Sequence, residues 1–169
     1  MQTVQKTLKN IALTGAMALS LFATQVTAGS DESQATPAQI QENITLIENY
    51  FKAIQTGDLD TVGASLSPDI IWYQPGQNQF SGVQNGAGSV FALIGGMMEI
   101  SGGSFKIDKV HAVMGNGTRV AAIVEFSGTR DGAEISMLGV DILTVKDGQI
   151  VEAWLYSADQ AAEDIFWGE

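Results

Sequence analysis

Apolar residues recur at Ile40, Ile44, Ile47, Phe51 and Ile54, a spacing of three to four that draws one stripe along an amphipathic helix. Thr36 stands before it as an N-cap, Pro37 takes the first helical position, and Gln39 completes a capping box. Gly57 ends the helix in the manner of a left-handed cap. Asp58 then caps a short second helix running to Leu66, Pro68 and Asp69 turn the chain, and Ile70 to Gln74 reads as a strand. Residues 77–88 are rich in glycine and glutamine, show no period and read as a loop. Ser89 to Ile100 carries Val90, Phe91, Ile94, Met97 and Met98 on a third helix, against the cost of Gly95 and Gly96, about 1 kcal/mol each relative to alanine.

After Ser101-Gly102-Gly103 the pattern becomes that of long strands: Phe105 to Met114, Arg119 to Thr129, Glu134 to Lys146 and Gln149 to Tyr156. Gly115-Asn116-Gly117, Asp131-Gly132 and Asp147-Gly148 are hairpin turns between them. Asp159 to Trp167 reads as a closing helix whose aromatics fold back onto the sheet. Helices first and strands afterwards predict an α+β domain, with helices packed on one face of a curved antiparallel sheet.

The first 28 residues read as a secretory signal peptide. Lys6 and Lys9 make a basic start, Ile11 to Phe22 is largely apolar but short for a membrane span, and Val26-Thr27-Ala28 supplies small residues for cleavage. Residues 29–36 follow as a flexible leader and residues 37–169 as one domain. The expected location is periplasmic or secreted, with no stable membrane anchor after cleavage. The chain has no cysteine, which removes both disulfides and a cysteine-borne lipid anchor. Its net charge of −11 becomes still more negative once Lys6 and Lys9 leave, so phosphate backbones and anionic lipids repel it. Nucleic acid is excluded as a partner on that ground. The acids are scattered through turns and helix ends, as solubility alone requires.

Tyr50 lies three residues after Ile47 and four before Ile54, on the buried face of the first helix. It serves either as a donor into a cavity or as a core tyrosine with a backbone partner. Asp141 alternates in step with Ile135, Met137, Gly139, Leu143 and Val145 and therefore points to an apolar face. Burial there disfavours its charged form. Asp141 then acts as a neutral donor or acid/base, or as a carboxylate paired structurally with tyrosine or arginine. Gln74 is delivered where a strand stops at Pro75. Trp72, Gln74, Phe91, Met98, Trp154 and Tyr156 suit the wall of a ligand site, though each also suits an ordinary core. His111 is the sole histidine and, without cysteine, supports neither a zinc cluster nor a catalytic triad; it reads as structural. Glu125 and Glu152 read as solvent-facing. No metal or cofactor is implied.

The segment Trp72-Tyr73-Gln74-Pro75-Gly76-Gln77-Asn78, the ending Gly57-Asp58-Leu59-Asp60 of the first helix, the late strands from Gly139-Val140-Asp141 to Ala153-Trp154, and Asp159-Gln160-Ala161-Ala162 carry a family likeness. The chain resembles the SnoaL-like and ketosteroid-isomerase-like branch of the nuclear transport factor 2-like superfamily. That resemblance implies a cone-shaped fold enclosing an apolar pocket, and a homodimer formed through the outer sheet face. It also implies that Tyr50 falls where ketosteroid isomerases hold a substrate oxyanion with an aromatic hydroxyl, and Asp141 where they use a protonated aspartate. Gln74 falls where those enzymes place the aspartate that moves the proton. An amide cannot take up a proton at neutral pH, so the standard steroid isomerase mechanism lacks its base here. In SnoaL-like cyclases a late-strand aspartate does the acid/base work, which again singles out Asp141.

Two readings follow. In one, an exported pocket protein binds a small apolar carbonyl or phenol-like compound and, if an enzyme, moves a proton next to a carbonyl as an isomerase, cyclase or dehydratase does. In the other, the same fold is a non-catalytic homodimeric binding or interaction module.

Overall fold

Thr36 opens the first helix as its sequence predicts. Its hydroxyl accepts from the Gln39 backbone at 3.3 Å, while the Gln39 side chain accepts from the Thr36 backbone N–H at 2.9 Å. In this computed structural model residues 35–168 are described, so the signal-peptide reading and most of the leader lie outside the described residues. Helix α1 spans Pro37–Thr56 and is closed by Gly57 in the left-handed conformation. Asp58 caps α2, Leu59–Ser65, by accepting from the Thr61 backbone at 3.1 Å. Then come β1 (Leu66–Gln74), β2 (Gly82–Asn85), α3 (Ala87–Ile100), β3 (Lys106–Asn116), β4 (Arg119–Arg130), β5 (Ala133–Lys146), β6 (Gln149–Ser157) and α4 (Gln160–Trp167).

The six strands form one curved, unclosed sheet in the order β2-β1-β6-β5-β4-β3, with helices against its concave side. Neighbours are antiparallel except β1 and β6, which run parallel, so the sheet is mixed where an antiparallel one was expected. The parallel pair arises because β6, ending the meander, takes its place beside the strand laid down first. Pro68 and Asp69, expected as a turn, lie inside β1. The pairing of β1 with β6 shifts register between Leu66 and Ile71, and Pro68, which has no N–H to give a ladder, sits in that irregular stretch. The loop expected at 77–88 contains β2, an edge strand with no buried residue and hence no alternation to reveal it. Helix α3 begins two residues before Ser89, on Gly86, which offers no side-chain cap.

The core lies between the concave sheet face and the helices. Ile47 and Phe51 of α1 meet Val120, Leu143 and Ile150 there, all nearly or wholly inaccessible. Gly96, costly inside a helix, admits the Phe80 ring: a Cβ at that position would sit 2.9 Å from it. Trp167 ends α4 fully buried, with ring centres 5.4 Å from Phe80, 5.2 Å from Phe105 and 4.8 Å from Phe166.

That aromatic anchor is tied further to the segment after Gln74. Asp164 accepts from the Gln77 backbone at 3.0 Å and the Asn78 amide at 2.8 Å, while the Gln79 and Arg130 side chains both donate to the Trp167 carbonyl at 2.6 Å. Gly76 makes this clasp feasible. Its φ is 89°, and a Cβ there would run into the Asp164 carboxylate and the Gln160 amide. Gly76→Ala is therefore expected to cost about 1–3 kcal/mol from backbone strain and overpacking. A lowered urea midpoint at unchanged m-value checks this; an unaltered midpoint contradicts the clasp.

Candidate functional site

Between α1, α2, α3 and the concave sheet face lies a cavity of ≈ 360 Å³, a size suited to a small organic molecule. Its walls are mostly apolar: Trp72 from β1, Phe91 and Met97 from α3, Val124 and Phe126 from β4, and Leu155 from β6. Tyr50 reaches it from the buried face of α1, one helical turn beyond Ile47. Asp141 reaches it from the middle of β5, where burial alternates from Ile135 to Val145 as the sequence predicts. Tyr50 is 1% exposed and Asp141 9%.

The two groups share an unusual condition. Among the described residues, neither the Tyr50 hydroxyl nor the Asp141 carboxyl has a hydrogen-bond partner in the protein, yet no polar side-chain atom is sealed away unpaired. Both therefore open onto the cavity. Gln74 adds a third polar group. The Trp72 indole N–H, which can only donate, gives its hydrogen to Gln74 Oε1 at 3.1 Å. That contact fixes which end of the amide is occupied and leaves the Gln74 NH₂ as the free donor. A protonated Asp141, Tyr50 and Gln74 thus each offer a hydrogen into a cavity with apolar walls.

Burial pushes the Asp141 carboxyl up from its ordinary 3.8 to about 7, with the nearby Glu163 charge adding to the effect. Burial also raises the Tyr50 hydroxyl far above its ordinary range, and negative charge on Asp141 raises it further. Both groups accordingly hold their protons through mildly acidic pH. Among the described residues no group of three or more potential ligands converges to hold a metal ion, and no helix is long and apolar enough to cross a membrane.

Residues 47–153 match the family model of the SnoaL-like domain. The chain belongs to the SnoaL-like family. Its fold is that of the nuclear transport factor 2-like superfamily. A Xanthomonas campestris protein of unknown function with a cystatin-like fold is 47% identical, at a TM-score of 0.73 over 75% of this chain and 98% of that one. Bal32a, from a soil-derived mobile gene cassette, is 23% identical at 0.73, over 76% and 98%. TerC, co-crystallised with polyporic acid, is 18% identical at 0.65, over 74% and 97%. The last two likenesses speak for the fold alone. Among curated proteins none matches the chain.

Within this SnoaL-like cavity the structure brings together Tyr50, Asp141, Trp72, Gln74, Phe91, Met98 and Tyr156, with Met98 and Tyr156 at its exposed rim. Trp154 is the exception. Ala153 and Leu155 take the inward positions of β6, so Trp154 turns to the outer face and stacks on Tyr73 with ring centres 3.6 Å apart. His111 lies outside the cavity and pairs with Glu125 across the outer face at 2.9 Å. Glu152 accepts from the Thr144 hydroxyl at 3.1 Å.

The sequence reading passed over Glu163, a second acid lining the cavity and only 4% exposed. The signal was present: Glu163 stands three and four residues before the buried Phe166 and Trp167, on their face of α4. Burial raises its carboxyl above the ordinary range, while hydrogen bonds from Ser157, Trp167 and Gln160 act the other way.

Burial of Asp141 has a stability signature. Its folded-state value lies above the unfolded one, so its proton binds more tightly in the native state. The associated stability is present below about pH 4 and is lost as pH rises through about 7, a change of order 4 kcal/mol. Asp141→Asn removes that loss. Its melting temperature should gain on that of wild type between pH 4 and pH 8, and parallel melting curves across that range would show the carboxyl to be solvated.

Proposed function

We propose that this SnoaL-like protein is an exported pocket protein that binds a small, largely apolar carbonyl or phenol-like compound. Tyr50 and Asp141 hold the compound's oxygen while the aromatic and methionine side chains enclose its ring. The observation that carries the reading is the pair of buried hydrogen-bonding groups that face an apolar cavity and have no partner among the described residues. Unpartnered polar groups in such a setting cost free energy unless a guest satisfies them. The family and fold support small-molecule binding or catalysis as the class of function.

Proton transfer next to a carbonyl extends this reading. With an amide at Gln74, acid/base work falls to Asp141, whose titration near neutrality suits it to either role. The second reading, self-association, is favoured by Ile71, Val83, Met114, Leu138 and Trp154, exposed on the outer sheet face. We propose that face as the homodimer surface; it leaves the cavity side free.

Thermal shift with 2-naphthol at pH 6 tests the oxygen site. Wild type is expected to gain several degrees, whereas Asp141→Leu and Tyr50→Phe should each weaken binding about tenfold through loss of one hydrogen bond. Equal stabilisation of all three proteins would show that the phenol oxygen is held elsewhere.

A further inference from the structure

Glu163 is a buried acid that the oxygen site as described does not use. Three donors hold it: the Ser157 hydroxyl on Oε2, Gln160 Nε2 on the same oxygen at 3.3 Å, and Trp167 Nε1 on Oε1 at 3.2 Å. Among the described residues Asp141 accepts no hydrogen bond. When two buried acids share one cavity, the proton settles on the one whose carboxylate is less well served, and here that is Asp141.

The strand register shows how close the two acids lie. Ser157 of β6 is paired with Gly139 of β5, two positions before Asp141 on the same inward-facing side. Two residues along a strand span about 7 Å. Gly139 projects no side chain between them, and the Glu163 carboxylate is bound to Ser157. The other titratable groups lining the cavity are Tyr50 from α1, Lys106 from β3 and Tyr156 from β6; α2, α3, β1 and β4 contribute none. Lys106 is mostly exposed and engaged with Asp108 at 2.8 Å, so it leaves the Glu163 charge uncompensated. Asp164, next to Glu163, accepts from Gln77, Asn78 and Gln160, and its charge pushes the Glu163 carboxyl further up.

We propose that Glu163 is a positioning residue for the oxygen site: its carboxylate, held by three donors, keeps the proton on Asp141 and so sets the upper pH at which Asp141 can donate a hydrogen to a guest beside Tyr50 and Gln74. This rests on the assignment of Asp141 and Tyr50 as the groups that hold the guest oxygen. It adds a residue that acts on the guest through Asp141 and decides whether the oxygen-holding pair is neutral or anionic. A guest that carries an acidic hydroxyl is accepted while Asp141 is protonated and repelled once Asp141 is charged. The guest favoured is therefore one whose oxygen takes on negative charge in the site, such as a phenol or an enol.

The test is a ¹³C NMR titration of the full-length protein with carboxyl-labelled aspartate, the Asp141 signal being assigned by its loss in Asp141→Asn. In Glu163→Gln the Asp141 midpoint should fall by about one to two pH units, as expected for removal of one nearby charge from the same cavity. It should remain above the ordinary aspartate value, because burial persists. Glu163→Asp, which keeps the charge, should hold the midpoint near that of wild type. Glu163→Leu removes the charge with an apolar side chain of similar reach and reads the same shift if the glutamine variant does not fold. The upper pH limit for 2-naphthol binding should move down with the midpoint. An Asp141 midpoint unchanged in the neutral variants overturns the proposal. Failure of wild type to bind 2-naphthol at any pH, with the midpoint shift intact, overturns the oxygen-site reading instead.

Discussion

A carboxyl group held in an apolar cavity without a donor among the described residues is the constraint around which this molecule is arranged. In water such a group ionises freely; inside the cavity its charged form is disfavoured, so Asp141 keeps its proton until about pH 7. A neutral carboxyl donates one hydrogen, and none of the described residues takes it. The Tyr50 hydroxyl is in the same condition beside it. Natural cores seldom leave polar groups unpaired, because each one costs about 1–3 kcal/mol. Here the apolar stripe of α1 and the inward positions of β4, β5 and β6 supply the burial that offsets that cost. Asp141 lies on a strand paired on both sides, which restricts how far it can swing to find water.

Helix α4 is the second structural condition. It is short, and what holds it is the fully buried Trp167 together with the clasp between Asp164 and the residues after Pro75. The same clasp fixes the segment that follows Gln74, so two sides of the cavity are secured by one set of contacts. Through α4 the fold delivers Glu163 to the cavity beside Asp141. The charge of one acid and the proton of the other are thereby linked to a helix whose docking depends on Gly76. Sequence, packing and chemistry meet at that glycine.

Much of this was legible in the residues alone. Thr36, Gln39 and Gly57 announced α1, and the alternation from Ile135 to Val145 placed Asp141 on the inner face before any geometry was known. What escaped depended on contacts distant in sequence or on signals of the wrong kind. Edge strand β2 buries nothing and so shows no period. Pro68 has the chemistry of a turn, yet a register shift lets it lie in a strand. The parallel pairing of β1 with β6 joins segments too far apart for local pattern to reveal. Trp154 suited a cavity wall by type, but the inward positions on β6 belong to its neighbours. Glu163 was hidden by its charge, since an acid on a short helix is read as solvated unless its spacing to Phe166 and Trp167 is weighed first.

The proposed oxygen site requires Asp141 and Tyr50 to hold one guest atom inside the cavity. The most direct measurement is a crystal structure of the protein grown with a planar phenol at mildly acidic pH. The ring is expected between Trp72, Phe91 and Phe126, with its oxygen within about 3 Å of both the Tyr50 hydroxyl and the Asp141 carboxyl. A phenol seated in the cavity with its oxygen turned toward the rim and away from both groups would contradict it, as would an Asp141 carboxyl paired with another protein side chain.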